Sequence, residues 1–577
     1  MKEGFRQSMS WLHTWAGLVF GWLLFAIFLT GTLSYFKDEI TQWAQPEVPV
    51  RDVDAGASLE LAQGWLQKNG ADASRWFINL PDARSPGLSV MWQPPGGAFK
   101  EKTLDPLTGA EVNARETKGG DFFYRFHFQL QMPYPWGRWL ASIAAMVMLV
   151  TMISGVIIHK KIFKEFFTFR PGKGQRSWLD GHNAVGVLVL PFHLMITYSS
   201  LVIFMTMIMP ASILTKYDND TQAFFNDLFP SFKTVQASGT SAPLAPLRPM
   251  MEVAREHWQG APIARLVVNR PGDANANVTF VRRRDDQIVY EPGSGLTFNG
   301  TTGELNSENS MTSAPLKLAG ALYGLHMGHF AGPLLRWLYF VFGIGGTALI
   351  GTGLVMWLGK RRLKHASSGV LPFELRLVEV LNVASMSGLM LAVASFFWAN
   401  RLLPPILAGR EAWEVKAFFI VWGLALLHAL LRKGATAWRE QLGLGALLFG
   451  TLPVLDALTT GPYLLAALQQ GHWALPGLDL TALATGIFLG WAAMKFRPGR
   501  HKNAVSKRAP KEPHNSQKLH LGEGQVSGLI HRVASTDAQH GSPAESASGV
   551  KPMLAEGPAG ERAGEGIPSN IVHREAR

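Results

Sequence analysis

Apolar residues in this chain are gathered into blocks of about twenty, the length that crosses a bilayer as a helix. Eight blocks predict spans: Leu12–Phe36, Trp139–His159, Val185–Met209, Leu334–Leu358, Leu377–Trp398, Ala412–Leu431, Leu444–Leu468 and Leu478–Met494. The first is too long for a cleaved signal peptide, and Gly31-Thr32-Leu33-Ser34-Tyr35 offers no small-x-small cleavage site, so it reads as a retained anchor. Two long polar stretches interrupt the blocks, 37–136 and 211–333. Each mixes helical periodicity with strand-like runs and is large enough for a small α+β domain. The expected organisation is a polytopic helical membrane protein: a first span (1–36), an outside domain (37–136), spans two and three with a basic loop (137–210), a second outside domain (211–333), span four (334–364), four further spans (365–496) and a tail (497–577).

The first half repeats itself. Trp11-Leu12-His13-Thr14-Trp15-Ala16-Gly17 opens span one, and Leu179-Asp180-Gly181-His182-Asn183-Ala184-Val185-Gly186 opens span three; both carry H-x-x-x-G. The outside stretches close on similar turns, Thr108-Gly109-Ala110-Glu111 and Thr302-Gly303-Glu304. Each is followed by a histidine (Phe126-His127-Phe128; Leu325-His326-Met327-Gly328-His329), an Arg-Trp pair and a span containing Ser154-Gly155-Val156 or Thr352-Gly353-Leu354. A span–domain–span unit that occurs twice in one orientation implies a pseudo-twofold axis along the membrane normal.

Charge adds orientation. The 54 Lys and Arg residues exceed the 42 Asp and Glu residues by 12. Lys2, Arg6, Lys160, Lys161, Lys164, Arg170, Lys173, Arg176, Lys360, Arg361, Arg362, Lys364, Arg376, Arg432, Lys433, Arg439, Lys495, Arg497 and Arg500 all fall on one side of eight spans. That side is then cytoplasmic, as are both termini. The positive charge is topological and needs no nucleic-acid partner. The tail after Arg497 is polar and poor in aromatics, and reads as disordered. The chain has no cysteine, which excludes disulfides, iron–sulfur clusters, thiolate metal sites and thioether-bound haem. No strand–GxGxxG–helix stretch signals a nucleotide domain.

Three segments carry a resemblance: LHTWAGLVFGW (Leu12–Trp22), the stretch from Ser154 to Ser199, and LHMGHFAG (Leu325–Gly332), together with the two T-G turns. Over about Met1–Lys364 the sequence resembles the PepSY-associated transmembrane proteins, iron-regulated proteins of the bacterial inner membrane. The resemblance implies PepSY-like periplasmic domains, b-type haems in the membrane and a part in reducing ferric siderophores. It says little about the last four spans.

Ionisable side chains at membrane depth are functional candidates, and neutral imidazole is a common axial haem ligand. His13, His159 and His182 form a layer near the basic face. His127, His326 and His329 form one near the opposite face, and His193 lies within span three. Two layers suit two stacked haems b, each held by histidines from different helices. Twofold symmetry pairs His13 with His182 and His127 with His326. A straight third span instead puts His182 and His193 on one face, about 16.5 Å apart along the helix, as members of separate sites. Four ligands suffice, so some of the seven do other work; a single histidine at a span end serves equally as an interfacial residue. Arg138 and Arg336, at equivalent span starts, are candidates to pair with haem propionates or to act as interfacial anchors. The expected function is electron transfer from a quinol or cytoplasmic reductase to a periplasmic ferric siderophore or other Fe(III) chelate, with no catalytic acid or base supplied by the protein. The alternative is a membrane-anchored PepSY protein that binds or regulates a periplasmic protein or peptidase without redox activity.

Overall fold

The computed structural model describes residues 4–496 apart from 160–167, 169, 229–234, 284, 292–293, 311–312, 366–369, 462–466, 468 and 470. The expected disordered tail and the lysines at 160, 161 and 164 lie outside the described residues.

The first repeat runs α1 (Phe5–Ser34), α2 (Lys37–Ala44), α3 (Ala55–Asn69), β1 (Arg75–Asn79), β2 (Leu88–Gln93), β3 (Lys100–Leu104), α4 (Gly119–Gln129) and α5 (Trp136–Ile158). The second runs α6 (Gln175–Leu188), α7 (Leu190–Ile203), α8 (Leu247–His257), β4 (Ile263–Asn269), β5 (Asn277–Arg282), β6 (Gly295–Asn299), β7 (Leu305–Asn309), α9 (Ala314–Met327) and α10 (Pro333–Lys364). Four long helices follow: α11 (Phe373–Leu402), α12 (Arg410–Leu431), α13 (Ala435–Thr460) and α14 (Ala474–Lys495). Among the described residues, α1, α5 and α10–α14 are each long and apolar enough to cross a membrane, and α6 with α7 forms one bent pair. The protein is therefore a multi-pass helical membrane protein.

Two spans differ from the sequence expectation. The third is not straight: α6 and α7 meet at Val189 with a bend of 65°. Pro191 sits in the first turn of α7 and lacks the N–H that a continuous helix would bond to the Val187 carbonyl. The helical wheel that placed His182 and His193 on one face therefore does not apply. The seventh starts earlier than expected, at Ala435 instead of Leu444, and ends at Thr460, where Gly461 adopts φ +86; residues 462–466 and 468 of the expected stretch lie outside the described residues.

The two outside stretches share one sheet. Seven strands run β3-β2-β1-β4-β5-β6-β7. The central β1–β4 pair is antiparallel, with Phe77 opposite Val267 at its middle, and it joins the two repeats across their pseudo-twofold axis. A single core takes Leu59, Trp76, Ile78 and Val90 from the first repeat and Leu247, Val268, Phe280 and Phe298 from the second. Both T-G turns form as expected. The Asp105 carboxylate accepts from the Leu107 and Thr108 amides, and Asn299 Oδ1 from those of Thr301 and Thr302. Gly109 and Gly303 follow at φ +70 and +80, a region where glycine carries no steric cost.

Helix ends identify the two faces. Arg6 Nε donates to the Ile158 carbonyl and Gln175 Nε2 to the Met356 carbonyl, so the start of α1, the end of α5, the start of α6 and the end of α10 gather on one basic side. The sheet connects to the other ends, hereafter the sheet side.

Two histidine pairs in the helical core

The repeat brings four histidines together as two pairs. On the basic side, His13 of α1 and His182 of α6 have ring centres 6.5 Å apart. On the sheet side, His127 of α4 and His326 of α9 have ring centres 6.1 Å apart.

Each ring is held through Nδ1. His13 Nδ1 lies 2.8 Å from the Thr151 carbonyl, with Ser154 Oγ at 3.5 Å. His182 Nδ1 lies 3.0 Å from Thr352 Oγ1, and the ring also bonds the Leu349 carbonyl. Thr151 and Leu349, like Ser154 and Thr352, are equivalent positions when Gly155 is aligned with Gly353. His127 Nδ1 meets the Ile27 carbonyl at 2.8 Å. His326 Nδ1 meets the Ile196 carbonyl at 3.1 Å and Ser199 Oγ at 3.0 Å. Ile27 stands fourteen residues after His13, and Ile196 fourteen after His182. A carbonyl oxygen accepts and never donates, so Nδ1 of His13, His127 and His326 carries the hydrogen; at His182 the Thr352 hydroxyl spends its own hydrogen on the Leu349 carbonyl at 2.9 Å and so accepts from Nδ1, and each Nε2 keeps its lone pair. This is the tautomer in which imidazole binds a metal through Nε2. Fourteen residues of α1 also set the depth between the layers, about 21 Å.

Glycines make room for the rings. A Cβ on Gly31 would stand 2.5 Å from His127 Nδ1, one on Gly155 3.1 Å from His13 Cε1, and one on Gly353 3.4 Å from His182 Cε1.

The sheet-side pair opens into a cavity lined also by Tyr35, Lys37, Asp38, Arg84, His329 and Arg336. Its charges are mutually paired. Lys37 lies 3.3 Å from Asp121 and 3.4 Å from Asp38. Arg84 holds Asp38 at 2.9 Å and Glu39 at 2.7 Å, and Arg336 reaches Glu39 at 3.2 Å. Burial works against the Asp38 carboxylate, yet Lys37 and Arg84 hold it below its ordinary range. His329 Nε2 is buried without a hydrogen-bond partner among the described residues, and the ring stacks on Tyr290 at 5.3 Å. Burial, then the Lys37 ammonium, pushes its imidazole down to about 4.

A family model described as the PepSY-associated TM region matches residues 10–360, more than half of the chain and all four paired histidines. The chain belongs to this family. It is also 26% identical over 392 residues to Uncharacterized protein PA4219 of Pseudomonas aeruginosa, an alignment that covers 64% of this chain and 93% of that protein. The last four spans lie beyond the family region.

Inside that region the remaining sequence candidates stand apart from the pairs. His193 is buried, but its Nε2 faces the Phe342 carbonyl at 3.2 Å and its ring packs edge-on against Phe28; by the same logic, hydrogen and lone pair are reversed relative to the four paired rings. His159 follows α5 with its Nε2 buried and without a hydrogen-bond partner among the described residues. Arg138 lies over the rings of Phe128 and Tyr134, 5.0 and 5.2 Å from their centres, and bonds Gln129, whereas Arg336 lines the cavity. Sequence reasoning missed Lys37, Asp38 and Arg84. Arg84 follows β1 in the sheet domain, and no local pattern announces that it returns to the start of α2.

Proposed function

We propose that this family member is a b-type haem electron-transfer protein of the bacterial inner membrane. It would carry electrons from a quinol or cytoplasmic reductase at its basic side to an Fe(III) chelate, such as a ferric siderophore, at its sheet side, with that side periplasmic. The observation that carries the reading is the pair of histidine pairs. In each pair an imidazole from one repeat stands beside one from the other, with ring centres 6.5 and 6.1 Å apart, and the four rings leave Nε2 free to bind a metal.

His13 with His182 would hold one haem and His127 with His326 the other. When bound, haem would supply the one-electron redox chemistry. The protein's own groups fix ring orientation through the Thr151, Leu349, Ile27 and Ile196 carbonyls, which also raises the basicity of Nε2. On the sheet side Arg336, Arg84 and Lys37 supply cationic donors at the cavity wall, and His329 offers a neutral ring nitrogen. Reduction to Fe(II) weakens the hold of hard oxygen ligands on iron, so a chelate reduced at the sheet side would release it.

The test is haem content per chain with the visible spectrum of the reduced protein, for wild type and single variants. His13→Ala or His182→Ala should lose one of two haems, and His127→Ala or His326→Ala the other. His193→Leu should keep both. Loss of haem in His193→Leu alone, with all four paired variants unaffected, contradicts the assignment.

A further inference from the structure

The four spans beyond the family region carry a buried charge network. At the end of α11, the Arg401 guanidinium is fully buried and holds Asp456 of α13 at 2.7 Å. It also lies 3.6 Å from the ring centre of Trp43 in α2. Trp43 Nε1 donates to Asp479 of α14 at 3.2 Å, and among the described residues no Lys or Arg closes an ion pair with this buried carboxyl group. Thr460 Oγ1 approaches Asp456 at 3.4 Å.

Arg401 compensates Asp456, whereas buried Asp479 has an indole N–H and no counter-cation; a buried carboxyl group without a cation is disfavoured in its charged form, so the pair calls for one proton. The surrounding charges agree. Arg115 pairs with Glu47 at 2.7 Å, Arg410 pairs with Glu414 and both are fully buried, and Arg115 and Arg410 both donate to the Asn400 carbonyl. Three cations (Arg401, Arg115, Arg410) thus face four carboxyl groups (Asp456, Asp479, Glu47, Glu414). The cluster is electroneutral when one proton is held, and a net buried charge is strongly disfavoured. The Glu47 side chain, 29% exposed, links the network to solvent. α2 links it to the cavity: Trp43 touches Arg401 at one end, and Lys37 and Asp38 at the other line the cavity wall. Six residues separate the two ends, about 9 Å of helix.

We propose that Asp456 and Asp479 form a one-proton binding site whose proton affinity rises when an electron enters the sheet-side cavity and falls when it leaves. The step is proton binding alone. A solvent proton adds to the doubly ionised pair, forming one O–H bond, and the reverse returns it to solvent; Arg401, Trp43 and Thr460 hold the pair in place throughout. The coupling to the cavity rests on the haem reading above, whereas the proton site itself does not.

Infrared spectroscopy of the purified full-length chain tests both, with the visible spectrum recorded on the same sample. Wild type should show the C=O stretch of a protonated, buried aspartic acid, which shifts on deuteration and is lost in Asp456→Asn and in Asp479→Asn. Asparagine matches the shape of a protonated aspartic acid, so both variants should fold, and their haem spectrum should match wild type. The reduced-minus-oxidised spectrum should show the same band gaining intensity on reduction. Absence of a protonated carboxyl band in wild type overturns the site. A band that persists unchanged in both variants, or that reduction of the haem leaves unaltered, overturns the proposal as stated. A chain with the band and no haem spectrum locates the failure in the haem reading instead.

Discussion

At the scale of single residues, the site depends on four Nδ1 hydrogens and the glycines that let the rings approach. Gly31→Ala should push His127 off the Ile27 carbonyl, because the added methyl stands 2.5 Å from Nδ1. Overpacking of this kind costs about 1–3 kcal/mol, and the variant should lose the sheet-side haem while retaining the other; haem quantification checks this. His329 gives a pH signature. Its folded-state value is pushed to about 4 by burial and Lys37, below the ordinary histidine value of about 6.5. Between those values the unfolded chain binds a proton that the folded chain does not, so stability contributed by the neutral ring is present above about 6.5 and is lost as pH falls towards 4. His329→Gln should flatten that loss by on the order of 2 kcal/mol, measured as the difference in thermal midpoint between pH 7 and pH 4. The four paired histidines were legible among seven candidates because they fall in or beside the ends of apolar blocks, at places the repeat duplicates. The atoms that orient them were not, since Thr151, Leu349, Ile27 and Ile196 act through backbone carbonyls that no side-chain pattern reveals.

Among elements, the two that departed from the sequence reading are those set by long-range or single-atom effects. The bend between α6 and α7 follows from one missing N–H at Pro191, and it removes the argument that put His182 and His193 on one face. Symmetry between the repeats proved the sounder guide, because identical offsets along equivalent helices survive a bend that both histidines do not share. The β1–β4 pairing was not legible: 37–136 and 211–333 each looked like a separate domain, and nothing local specifies that their edge strands meet. Val267 of β4 is in register with Phe77 of β1 on one side and Thr279 of β5 on the other, so its backbone N–H is spent on one neighbour or the other. Val267→Pro should therefore break a ladder bond and cost on the order of 2–3 kcal/mol. Protease sensitivity of the sheet domain would report it, with haem content unchanged.

For the whole molecule, the last four spans complete the packing of the repeat. Phe122 of α4 stacks on Phe396 of α11 at 4.9 Å and meets Phe418 of α12 at 4.9 Å, while Trp22 Nε1 donates to Asn382 Oδ1. Phe122→Ala should cost about 3–5 kcal/mol, read as a lowered thermal midpoint in detergent, with weakened retention of the haem held by the neighbouring His127. The apolar helices, seven single ones and one bent pair among the described residues, were legible because apolar length is written locally. The apposition of α4 with α11 and α12 was not, because aromatic contacts between distant segments leave no local period. The most direct measurement is the haem content of the purified full-length protein from haem-replete cells, read as the reduced visible spectrum with haem extracted and quantified per chain. Two non-covalently bound b-type haems per chain, falling to one in His182→Ala, are expected; a colourless wild-type protein would contradict the assignment of the two histidine pairs.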